Sequence, residues 1–135
     1  MSDRKTEEQA REAARRAQEA EIRRRQIQEK IDELEREKSE CRQLIASLNA
    51  AKSEVSGACA KLIGSTQYYA PLPITAFNGN SAIATAQGMG NAIASIQKSA
   101  TSLQNVCNAI GVQITKLQTY IEDLDDEIDA LRSSL

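Results

Sequence analysis

Any chemistry in this chain has to be done without histidine, since its 135 residues contain none. That removes the usual general base, the triad base and the zinc-binding imidazole. The remaining candidates are three cysteines and a run of carboxylates. Cys41, Cys59 and Cys107 are too dispersed for a metal motif. Two readings of the thiols stay open: small apolar residues on a helix seam, or a Cys41 to Cys107 disulfide formed in an oxidising space after export. Glu122, Asp123, Asp125, Asp126, Glu127 and Asp129 point around the whole circumference of a helix, so they do not converge ligands as a calcium loop does. The expectation is a non-enzymatic protein with no metal and no cofactor.

A different kind of site is marked by the aromatic residues. Tyr68, Tyr69 and Phe77 gather with Leu72 and Ile74 around Pro71 and Pro73, and only Tyr120 stands apart. A surface turn is normally polar. These residues either fold back to plug the end of the fold or dock a partner through an exposed apolar patch.

The elements that must hold this tip can be read from spacing. Small or apolar residues recur at Gly79, Ala82, Ala86, Met89, Ile93, Ile96, Ala100, Leu103 and Cys107, and then at Ile110, Ile114, Leu117, Ile121, Leu124, Ile128, Leu131 and Leu135. Steps of three and four alternate without a slip, the 3.5-residue period of a helix holding one seam against a neighbour. Such a rod, on the order of 85 Å long, cannot bury its seam alone. Upstream, Ile27, Leu34, Cys41, Leu48, Val55 and Leu62 form a second heptad seam, reinforced by Ile31, Leu44, Ile45, Ala51, Ala58 and Cys59. A capping box at Thr6-Glu7-Glu8-Gln9 can open the first helix, and Gly64 can close it in a left-handed cap. The reading is a single all-α domain over 1–135, with a first helix over about 6–63, a tip over 64–78 and a second helix over about 79–135. Equal arms around one proline break make a long antiparallel two-helix hairpin, coiled-coil-like, able to complete a four-helix bundle with a partner.

A turn near residue 73 predicts facing residues whose numbers sum to about 146. The acidic stretch from Glu122 to Asp129 then lies beside Arg15 to Arg25, Gly57 to Gly64 lies opposite Ala82 to Gly90, and Cys41 lies close to Cys107. On the first helix, Glu7/Arg11, Glu12/Arg16, Glu19/Arg23 and Glu21/Arg25 are acid-to-base pairs four apart, each worth about 0.2–0.5 kcal/mol.

Composition narrows the partners. Aromatic content is 3% with no Trp, too little bulk for an ordinary globular core. The net charge of −2 and the pI near 5.3 argue against nucleic acid, despite Arg23-Arg24-Arg25. No run approaches the roughly 18 apolar residues of a membrane span, and the first residues lack the apolar core of a signal peptide. The expectation is synthesis in the cytoplasm and, where the protein is exported, export without a cleavable signal.

Phe77-Asn78-Gly79, an aromatic-x-Gly at the turn of a helical hairpin, resembles the WXG superfamily of type VII secretion proteins, with Phe in place of Trp. More narrowly, the charged first helix, the Phe77-Asn78-Gly79-Asn80-Ser81-Ala82 restart and the I/L-rich second helix resemble the YwqH-like proteins associated with LXG toxins. The resemblance implies a chaperone-like targeting partner of the helical N-terminal domain of such a toxin. It departs from the superfamily's Tyr-x-x-x-Asp/Glu export signal, because Leu124 stands four residues after Tyr120; the partner would then supply that signal. The alternative is a homo-oligomeric coiled-coil scaffold with no secretion role. A hairpin covers one stripe per arm, leaving Ile22, Leu44, Val106 and Val112 for further helices. The expected partner contacts are therefore Tyr68, Tyr69, Leu72, Ile74, Phe77, Gly79, Val106 and Val112, and the partner is a helical toxin domain or another small helical secretion protein.

Overall fold

The computed structural model describes residues 2–66 and 80–135, and nearly all of them are helical. α1 spans Ser2–Ser65 and α2 spans Asn80–Ser133, packed against each other as an all-α hairpin. Among the described residues there is no strand.

The seams are where the spacing puts them. On α2 every expected position from Ala86 to Leu131 is buried or half-buried. On α1 the same holds for Ile27, Ile31, Leu34, Cys41, Ile45, Leu48, Ala51, Val55, Cys59 and Leu62, whereas Leu44 and Ala58 face outward. Both ends of α1 differ from expectation. It begins before the Thr6 capping box and runs through Gly64. At its end Ser65 Oγ and Thr66 Oγ1 donate to the carbonyls of Leu62 and Ile63, each at 2.6 Å. These hydroxyls satisfy last-turn acceptors that the left-handed glycine was expected to serve.

Residues fall into two compact units. The first joins Met1–Gln43 to Gln118–Leu135. Its core is Ile31, Leu34, Leu124 and Ile128, none more than 4% exposed, with Ile27 and Leu131 packed against it. At roughly 1.5–3 kcal/mol per buried Ile or Leu, these four side chains are the main stabilising cluster of the unit. Asp125 is ion-paired with Lys38, whose side chain is only 15% exposed, and Arg132 reaches Glu35 at 3.1 Å. A groove beside the end of α2 is lined by Ala20, Arg23, Arg24, Ile27, Ser134 and Leu135, so α1 extends past that end. From Asp3 to Gln26 every α1 residue is exposed.

The second unit is Leu44–Leu117. Here Cys59 Sγ donates to the Ala100 carbonyl at 3.4 Å and Cys107 Sγ to the Lys52 carbonyl at 3.7 Å. Among its described residues the buried ones are small or few: Cys59, Ala100 and Ile114.

These contacts correct the register. Cys59 with Ala100 and Lys52 with Cys107 each sum to 159 rather than about 146. In the first unit the core residues Ile31 and Ile128 likewise sum to 159. The difference is close to two heptads, and a slide by whole heptads keeps the same residues on the seam. Periodicity alone therefore leaves the register degenerate. With this register Asp125 of the acidic stretch meets Lys38 rather than Arg15 to Arg25, and Arg15, Arg16 and Arg25 pair along their own helix with Glu19, Glu12 and Glu21. Glu19 thus goes to Arg15 rather than Arg23. The close approach lies at Cys59 and Ala100, while a Cβ on Gly57, Gly64, Gly88 or Gly90 would meet nothing within 4 Å.

Candidate partner-binding surface

The sequence points to two places for a partner: the tip and the residues left off the seams. Tyr68, Tyr69, Leu72, Ile74, Phe77 and Gly79 lie outside the described residues. Val106 and Val112, the other two expected contacts, are on α2 in the second unit and are 45% and 53% exposed. Leu44, Ile63 and Ile83 of the same unit are also exposed. Each stands off the seam that α1 and α2 use for one another, so these apolar side chains are left to water.

Next to them is a surface feature that spacing does not show. One open groove of about 380 Å³ is lined by Ser56, Cys59, Ala60, Ile63, Gln104 and Cys107, and also by Lys52 and Asn108. A second of similar size shares Lys52 and Asn108 and continues past Gly111 and Val112 to Thr115 and Lys116. Lys52 Nζ reaches the second helix here, 3.5 Å from where a Cβ on Gly111 would stand, an ordinary contact distance. The Lys52 stem crosses to α2 and holds its ammonium on the groove. Finding this needs the register, since Lys52 and Gly111 are distant in sequence.

Cys41, Cys59 and Cys107 are all free thiols. The expected closeness of Cys41 and Cys107 is corrected by the register. Cys107 sits at Lys52, about three turns or 16 Å along α1 from Cys41, beyond the roughly 7 Å between Cα atoms that a disulfide spans. Cys41 belongs to the first unit and is buried there.

Tyr120 itself donates its phenolic hydrogen to the Glu37 carboxylate at 3.2 Å. The negative charge of Glu37, and then that hydrogen bond, raise the phenol above its ordinary value. Leu124, where the export-signal pattern would have an acid, is 3% exposed in the core, so its identity serves the seam. Among the described residues no group of His, Cys, Asp or Glu could hold a metal ion, and no helix is long and apolar enough to cross a membrane.

No protein-family model matches this chain, and neither a curated protein nor a solved structure was found to be similar to it.

Proposed function

We propose that this protein is a non-enzymatic, chaperone-like helical partner that binds the helical N-terminal domain of an LXG-type toxin and accompanies it to type VII export. The observation that carries the reading is the set of exposed apolar side chains in the second unit, Leu44, Ile63, Ile83, Val106 and Val112, on a hairpin whose α2 seam from Ala86 to Leu131 is already covered. Large apolar residues grouped in one unit favour burial against further helices, and a four-helix arrangement would supply them. The Phe77-Asn78-Gly79 motif adds the resemblance that names the kind of partner. In this reading the chain is made in the cytoplasm and the toxin domain carries the export signal.

Co-expression with the helical domain of a neighbouring LXG toxin tests it. A tagged toxin domain should retain the chain through size exclusion at a fixed stoichiometry. Retention should be lost with Val106→Asp and Val112→Asp together, while helix content is kept. A chain that ignores the toxin domain and forms a stable homo-oligomer by light scattering would instead establish the scaffold reading.

A further inference from the structure

We infer that the groove from Ile63 to Lys116 is built for an acidic amphipathic helix: an apolar stripe seated on Ala60, Ile63 and Val112, with carboxylates placed against Lys52 and Lys116. This rests on the reading of the chain as a helical partner, and it adds the chemistry of the helix that is recognised.

Charge carries the inference. Between Leu44 and Leu117 the charged residues are Lys52, Glu54, Lys61, Lys98 and Lys116, a net +3 in a chain whose total is −2. Lys52 and Lys116 line the groove, and neither has a carboxylate partner among the described residues. By contrast, Lys38 and Arg132 in the first unit are each paired across the helices. Glu54 cannot neutralise Lys52, because residues two apart on a helix do not face one another. The ammonium of Lys52 is held over Gly111, between the apolar patch at Ala60 and Ile63 and that at Val112. From Gln104 to Lys116 the lined stretch of α2 is roughly 18 Å long, enough for about three turns of a docked helix.

A second copy of the chain is the poorer occupant. Its acidic segment, Glu122 to Asp129, has the right charge, but its apolar residues Leu124 and Ile128 are already buried in the core. A docked helix must bring both an apolar stripe and acids, as helix-in-groove recognition requires.

The test uses the intact chain as bait for a display library of helical peptides, each with an apolar stripe and randomised Glu or Lys at the flanking positions. Acidic members should be enriched. Their affinity should fall about tenfold or more with Lys52→Glu and Lys116→Glu together, and severalfold between 50 and 500 mM salt. Circular dichroism should show unchanged helix content in the variant. Enrichment of basic peptides, no enrichment at all, or acidic peptides that bind the double variant equally well would overturn the inference. So would a salt-sensitive dimer of the chain abolished by the same substitutions, which would assign the groove to a second copy. No toxin domain enters this selection, so it can fail while the co-purification succeeds, and the reverse.

Discussion

The two units solve the same packing problem with different materials. The first buries Ile31, Leu34, Leu124 and Ile128 almost completely and ties the flanks with Lys38 to Asp125 and Glu35 to Arg132. Among the described residues, the second buries two small residues and one isoleucine, and it leaves five large apolar side chains exposed where the first leaves Ile22, Tyr120 and Leu135. Composition explains the contrast. Ala, Gly, Ser and Asn dominate residues 79–113 and offer little area to a two-helix seam, so the second unit gains less from its own folding. What it leaves uncovered is available for another chain.

The largest expected effect breaks the first unit. Ile128→Ala should cost about 2–5 kcal/mol, because the side chain is 2% exposed and its loss leaves a cavity. Chemical denaturation followed by circular dichroism measures this. In the second unit the sensitive change is an enlargement. Ala100→Leu should cost about 1–3 kcal/mol, since the Ala100 carbonyl already receives Cys59 Sγ at 3.4 Å. Val112→Asp, in the same unit but 53% exposed, should change stability by no more than about 0.5 kcal/mol while weakening partner capture. A large stability loss there would show that Val112 is covered within the chain.

Smaller effects sharpen the electrostatic side. Lys38→Ala should cost more than Arg132→Ala, because the Lys38 side chain is 15% exposed and that of Arg132 57%. Exposed pairs such as Arg132 with Glu35 are worth about 0–1 kcal/mol. The smallest effect is alkaline. Tyr120 has a phenol raised above its unfolded value of 10.0 by Glu37. Its contribution is therefore fully present below that value and is lost as pH rises through the higher folded one. Tyr120→Phe should flatten the decline in stability above about pH 10, measured by thermal melts across pH.

Much of this was legible from spacing alone. Every second-helix position expected on the seam from Ala86 to Leu131 is covered, because a step of three and four admits only one face of a helix. Val106 and Val112 were legible as residues left over. The register was not, since Leu34 repeats as Cys41 and Leu48, and heptads slide over one another without moving any side chain off the seam. Cross-helix contacts such as Lys38 with Asp125 mark the register, and residues 34, 38 and 125 carry no sign of their partners in the sequence. The groove was hidden for the same reason: Lys52 and Gly111 meet only once the register is known.

The most direct test of the contrast between the units is hydrogen exchange of the chain alone and with the proposed toxin-domain partner. Peptides covering Lys52 to Ile63 and Gln104 to Lys116 should exchange faster than those covering Ile31 to Cys41 and Leu124 to Leu131 in the free chain, and should gain the protection when the partner binds. Equal protection of both units in the free chain, or a gain on binding confined to the first unit, would contradict the account.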